Sequence, residues 1–295
     1  MPRSKPQPKP AQPPTVSARW LLTAIAIAVP AAAFCAWAVL CLLFWQGSWQ
    51  LLYHPTSAVS RTPAAIALPF NPVGFAPTDT GAPQLQGWWI AVPSPRYTAL
   101  YLHGADGNLG NTLDTLANLH NAGLNVLAFD YRGYGQSLFA HPSEARMSQD
   151  AESALAYLSA TRHIDPRTIV LCGSSLGANL ALELAAAHPE LAGVILDSPL
   201  AKPVDAIFED PRARLVPARL LVSDRFDTAA PAASLRIPSL WFFKNSPSAQ
   251  SSSPQASAAF QKVTARKTQL WLPASPNSNQ EFTTALSRWL GDLNK

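Results

Sequence analysis

The chain has 295 residues, of which 48% are hydrophobic and 14% charged, enough for one large domain or one domain plus an appendage. Four of its 22 Lys and Arg residues (Arg3, Lys5, Lys9 and Arg19) lie in the first 19 positions, and the remaining 18 match the 18 Asp and Glu, so the body carries no net charge. No basic patch forms there, which argues against nucleic acid as a partner, and with Cys35 and Cys41 in an apolar run and Cys172 alone beyond them, no disulfide framework is available to the rest.

Residues 1–19 open with MPRSKPQPKPAQPP, rich in proline and lysine and without apolar spacing, which predicts a disordered tail. Residues 20–45, from Trp20 to Trp45, contain no charge. About 20 apolar residues at a rise of 1.5 Å span a bilayer core, a tryptophan sits at each end where interfacial rings lie, and Pro30 is tolerated within a membrane helix. The run exceeds the roughly 7–15 apolar residues of a cleavable signal peptide. A single-pass anchor is expected. Four basic residues precede it and Arg61 is the first charge after it, so the tail is expected in the cytoplasm and residues 46–295 outside, in the periplasm if the source is a Gram-negative bacterium.

Residues 46–295 read as one domain. A Pro-rich lead-in, YHPTSAVSRTPAAIALPFNPVGF, is expected to run over the surface. Strands are predicted over 85–92, 98–102, 125–130, 168–173, 193–197, 239–243 and 268–272. Helices are predicted over 110–122, 148–161, 176–187, about 255–264 and 280–293. Apolar strands alternating with amphipathic helices imply a mostly parallel, doubly wound sheet with helices on both faces, an α/β fold. Residues 199–236, with five prolines, break the rhythm and read as a short cap or lid. The stretch 246–258, SPSAQSSSPQASA, reads as a low-complexity loop.

The chemistry centres on LCGSSLGAN, residues 171–179. Gly173 and Gly177 flank Ser175 in the G-x-S-x-G pattern of a nucleophile elbow. A β-run precedes it and a helix follows, as a strained strand-to-helix turn requires, and the helix N-terminus favours negative charge beside the serine. The stretch LHGADGN (102–108) follows another strand. Its His103-Gly104 turn is expected to aim the backbone N–H of Ala105 at the nucleophile, and with the N–H of Leu176 this makes an oxyanion hole. His103 itself reads as a brace for the turn.

The order HGADGN, FDYRGYGQS, GSSLGA, ILDSP resembles the α/β-hydrolase superfamily. More narrowly, it is similar to the branch of abhydrolase-domain serine hydrolases anchored to the membrane at the N-terminus, which shares the Tyr53-His54-Pro55 lead-in and Gly87-Trp88. The match covers about residues 50–200 well and 237–293 in rhythm only. The resemblance implies the α/β-hydrolase fold, hydrolysis of esters, thioesters or amides, often of lipids, and neither cofactor nor metal. The expected partners are the membrane and a lipid or small ester or amide ligand.

The likeness breaks at the activating residues. The family's acid follows the strand at 239–243, near Ser248 by position, and its histidine follows the last strand, near Asn277. No Asp or Glu lies between Asp227 and Glu281, and no histidine follows His188. His188 closes the elbow helix, roughly 15–20 Å from its start. His141, in the loop after GQS, is the candidate substitute base. Asp197 ends the strand after the elbow and reads as structural. Three readings follow. The first is a degenerate hydrolase that binds a ligand or partner, the second an esterase or lipase-like enzyme with an unusual base, and the third a scaffold for protein interaction.

Overall fold

The computed structural model describes residues 17–244, 253–272 and 278–293. It opens with helix α1 (Ala18–Gly47). Ser17 caps α1 by accepting the N–H of Trp20 at 3.2 Å. The helix continues through a 3₁₀ turn (Ser48–Leu51) with a mean hydropathy of 2.4 over its most apolar window. Of its side chains only Phe44 is buried, so it is long and apolar enough to cross a bilayer rather than a core helix.

The body is built on one eight-stranded sheet. In chain order come β1 (His54–Pro55), β2 (Asn71–Pro77), β3 (Pro83–Ile90), β4 (Tyr97–Leu102), β5 (Asp106–Gly107) and α2 (Leu113–Asn121). Next are β6 (Leu124–Asp130), α3 (Glu144–Ala156), β7 (Ile169–Ser174), α4 (Leu176–Ala187) and β8 (Gly193–Asp197). Three short helices, α5 (Asp205–Glu209), α6 (Ala218–Leu221) and α7 (Ala229–Ser234), lead to β9 (Ser239–Lys244), α8 (Ser253–Lys262), β10 (Lys267–Leu272) and α9 (Ser278–Asp292). The sheet order is β10-β9-β8-β7-β4-β6-β3-β2, and β3 runs antiparallel to both its neighbours. The separate pair β1–β5 is parallel.

The central strands are buried along their whole length because each face meets helices. Leu100, Leu127, Leu171, Leu196 and Trp241 point to one core shared with α3, α4 and α8. Ala99, Val126, Val170, Ile195 and Leu240, one residue out of phase, point to a second core filled by Leu116 of α2 and by Leu286 and Trp289 of α9. A period of two with both faces apolar is what turns these strands into near-continuous hydrophobic runs.

Three expectations change. Residues 71–75, read as the end of the surface lead-in, form edge strand β2 together with Ala76 and Pro77, with Val73 and Phe75 turned inward and Phe75 in register with Leu85. The prolines that hid the strand are tolerated because an edge leaves one row of N–H groups unpaired. Helix α3 starts four residues earlier than 148, where the Ser143 hydroxyl accepts the Arg146 N–H at 3.3 Å. It closes with a π-turn over Tyr157–Thr161. Strand β3 ends at Ile90, two residues short of the expected 92 and ahead of Pro93.

The stretch expected as a cap holds α5, α6, α7 and a 3₁₀ turn (Pro211–Arg214). Polar side chains tie it to the body. The Glu144 carboxylate accepts the N–H groups of Arg225 and Phe226 at 2.6 and 2.7 Å. Asp224 accepts the Tyr53 hydroxyl at 2.6 Å. Burial, and then that carboxylate, hold the Tyr53 phenol far above its ordinary range. Buried Asn179 donates to the carbonyls of Leu200 (2.8 Å) and Phe226 (3.1 Å) and accepts the Leu200 N–H at 2.8 Å. Asn179→Ala strands these backbone groups, so about 2–3 kcal/mol of stability is expected to be lost. Thermal denaturation of the detergent-solubilised protein should show this as a Tm roughly 5–10 °C lower.

Candidate active site

The elbow is formed where β7 hands over to α4. Ser175 has φ 55° and ψ −121°, a conformation that non-glycine residues avoid and that must be held by its surroundings. The flanking glycines supply that hold. A Cβ at Gly173 would overlap the Gly177 carbonyl, and a Cβ at Gly177 would overlap the carbonyls of Leu102 and His103. The Ser175 N–H donates to the Asp197 carbonyl at 2.8 Å, and the Ser175 carbonyl accepts the Ala178 N–H at 3.0 Å. The Ser175 side chain is half-buried, and its hydroxyl has no hydrogen-bond partner among the described residues.

The turn 103–105 lies over this serine. A Cβ at Gly104 would sit 3.3 Å from the Ser175 Cβ and 3.8 Å from its Oγ. Leu176 is the first residue of α4, so its N–H has no intrahelical acceptor. The Ala105 N–H likewise has no acceptor among the described residues, while the Ala105 carbonyl is fixed by the His54 N–H (3.0 Å) and the Tyr134 hydroxyl (2.9 Å).

His103 is packed beneath the turn, 1% exposed, between the rings of Tyr131 and Tyr134 at 4.5 and 5.0 Å. Its Nδ1 lies 2.8 Å from the Gly104 carbonyl, which can only accept, so Nδ1 carries the proton. Its Nε2 stands 3.5 Å from Asp130 Oδ1, too far for a hydrogen bond, and has no other partner. Burial pushes the imidazole down to about 4. Burial also pushes the Asp130 carboxyl up to about 7, although Asp130 accepts the Leu109 N–H at 2.9 Å. His103 is therefore a neutral brace at neutral pH, with Nδ1 committed to the Gly104 carbonyl and Nε2 buried without a hydrogen-bond partner.

The other named residues lie apart. His141 is exposed and stacks on Trp49 at 4.8 Å. It lines a cleft with Leu42, Trp45, Ile207 and Asp224 at the foot of α1, and the lining does not include Ser175. His188 caps the far end of α4 and pairs with Glu152 (3.0 Å) and Glu190 (2.7 Å), which together raise its pKa against a lowering from burial. The positions of Ser248 and Asn277 lie outside the described residues.

Two groupings were not foreseen. Asp197 is buried and accepts the hydroxyls of Ser174 (3.3 Å) and Ser198 (2.9 Å) and the Lys244 ammonium (3.2 Å). Its backbone carbonyl holds Ser175, so it supports the elbow from below. The second grouping is an exposed pair, His54 Nδ1 to Asp106 Oδ1 at 2.7 Å, beside Ala105. The Tyr53-His54-Pro55 lead-in carried its signal, but only the pairing of β1 with β5 brings His54 to the turn.

A mostly parallel sheet covered on both faces, with a serine on the strained turn between strand and helix, defines the α/β-hydrolase fold. Solved structures agree. The Pyrococcus furiosus esterase Pf2001 superposes with a TM-score of 0.61 at 19% identity, covering 81% of this chain and 97% of that one. An α/β hydrolase from Vibrio vulnificus gives 0.57 at 23%, covering 70% and 76%. Residues 93–271 match the family described as serine aminopeptidase, S33, and the chain belongs to that family within the α/β-hydrolase superfamily. An uncharacterized protein of Mycobacterium tuberculosis is 32% identical over 203 residues, 68% of this chain and 69% of that protein. Alpha/beta hydrolase domain-containing protein 17C of Mus musculus is 36% identical over 121 residues, 41% of this chain but 37% of its own length.

The His103–Asp130 pair has a measurable consequence. The raised Asp130 pKa makes stability fall as pH rises from about 4 to about 7, because the unfolded carboxyl ionises first. The lowered His103 pKa makes stability rise from about 4 to about 6.5, because the unfolded imidazole holds its proton longer. The two trends oppose each other. Asp130→Asn removes the falling one, so the variant's Tm is expected to climb more steeply than the wild type's between about pH 4 and 6.5 in a pH series of thermal melts.

Proposed function

We propose that this is a membrane-anchored α/β-hydrolase-fold protein with a formed elbow and oxyanion turn but without the acid and base that activate the serine. Its turnover is impaired, and its pocket serves to bind a ligand or partner near the membrane. The observation that carries this reading is the fate of five of the six histidines, His54 being the exception. No histidine follows His188, and by the resemblance the family's acid and base positions fall near Ser248 and Asn277. His103 is buried and committed to the turn, His141 stacks on Trp49, and His188 pairs with glutamates. His120 lies in α2, and His163 lies in the turn after α3 with φ 55°. Loss of the base in a triad costs about 10⁴–10⁶ in rate, leaving what the oxyanion hole and binding supply.

The α1 span is the anchor in this reading. The four basic residues before it keep the tail cytoplasmic and place the hydrolase domain on the other side. One observation favours a second reading, a working esterase-like enzyme. His54 and Asp106 form a His–carboxylate pair joined to the oxyanion turn by the His54 N–H bond to the Ala105 carbonyl. A histidine oriented by a carboxylate is what an activated serine needs.

A fluorophosphonate probe reports an activated serine whatever the natural substrate. Full-length protein in detergent, folded by circular dichroism, is expected to label no faster than Ser175→Ala. Rapid labelling that disappears in Ser175→Ala would overturn the degenerate reading. His54→Ala and His141→Ala would then identify the base, and loss of labelling in His54→Ala would establish the second reading.

A further inference from the structure

The anchor helix and the segment between β8 and β9 touch at a depth that matters. The Trp37 indole Nε1 donates to the Leu215 carbonyl at 3.1 Å. Eighteen residues separate Arg19, the last charge before the span, from Trp37, which is about 27 Å of helix. A hydrocarbon core is about 30 Å thick. Any placement that keeps Arg19 out of the core and Trp20 and Trp45 at the interfaces leaves Trp37 inside it. The carbonyl that Trp37 holds must then reach into the acyl region too.

The surrounding side chains fit that depth. Leu220 is 86% exposed and Leu215 62%, on a short stretch that would have no reason to show leucines to water. Arg212, Arg214 and Arg219 alternate with them and are exposed, their stems placed along the acyl boundary. Arg212 is paired with Asp210 (2.8 and 3.0 Å) and Arg219 lies over the Phe208 ring at 4.9 Å, while Arg214 is placed to carry its guanidinium to a lipid phosphate. Between α1 and this stretch runs an apolar cleft of about 220 Å³, lined by Leu40, Leu43, Leu51, Leu215 and Val216 with Arg212 at its edge. The cleft continues the lipid-facing side of α1 onto the body.

We propose that the 211–221 segment is seated in the leaflet on the domain's side of the membrane, with Leu215 and Leu220 among the acyl chains and the three arginines at the headgroups. The occupant of this surface is the lipid bilayer. The proposal rests on the reading of α1 as an uncleaved span.

Depth quenching tests both and tells them apart. The full chain carrying Cys35→Ser and Cys41→Ser is labelled with an environment-sensitive nitrobenzoxadiazole dye at one new cysteine and reconstituted in phosphatidylcholine vesicles. The sites are Val29→Cys in the span, Leu220→Cys, and Asp114→Cys on α2, across the sheet. Quenching by phosphatidylcholine with brominated chains is compared with quenching by aqueous iodide. The Leu220 label is expected to lose emission to brominated chains to the same fractional extent as the Val29 label, and the Asp114 label to iodide alone. A quenched Val29 with Leu220 behaving like Asp114 would overturn the proposal and leave the anchor standing. If Val29 and Leu220 both answer only to iodide, the anchor fails and the proposal falls with it.

Discussion

The structure turns on one close approach. Helix α4 can begin directly under the end of β4 only because Gly177 has no Cβ to meet the carbonyls of Leu102 and His103, and Gly173 has none to meet Gly177. That approach forces Ser175 to φ 55° and lifts its side chain clear of the sheet. The strain is held by neighbours that are themselves fixed. Asp197 takes the Ser175 N–H through its carbonyl, and its carboxylate is tied by two hydroxyls and Lys244. On the other side, the His103 ring and two tyrosines brace the turn that crosses the serine. A strained conformation of this kind costs about 1–3 kcal/mol and persists only where the surroundings over-determine it.

Much of this was legible in the residues. The spacing of Gly173, Ser175 and Gly177 between a β-run and an alanine-rich helix located the elbow, and α4 spans Leu176–Ala187 as the pattern had it. The central strands announced themselves as apolar runs because both their faces are covered. What the pattern missed has physical causes. Strand β2 carries Pro72 and Pro77, which read as loop, yet an edge position removes the penalty. The first turn of α3, EARM, has no apolar period until Met147 packs inward, so only the Ser143 cap marked the start. His54 meets Asp106 across 52 residues, and Lys244 meets Asp197 across 47, and contacts at such separations are set by topology rather than by any local pattern. The positions of Ser248 and Asn277 rest on the sequence alone.

Anchor and body are one mechanical system in this account. The same polar ties that hold the segment after β8, through Glu144, Asp224 and Asn179, fix the surface against which Trp37 and Phe44 pack. With α1 as an anchor, as proposed, a domain held this way would face the bilayer with a defined side. Membership of the S33 family sets the ancestry of the site, and the histidines decide what remains of its chemistry.

The central claim is that the serine is positioned and its activation is what is missing. Restoring the acid and base tests it most directly. Hydrolysis of p-nitrophenyl acetate by Ser248→Asp/Asn277→His is expected to exceed the wild-type rate by about 10²-fold or more, with Ser175→Ala in the same background removing the gain. A wild type that already hydrolyses the ester as fast as the double variant, and loses that activity on Ser175→Ala, would contradict the account and show that a working base is present.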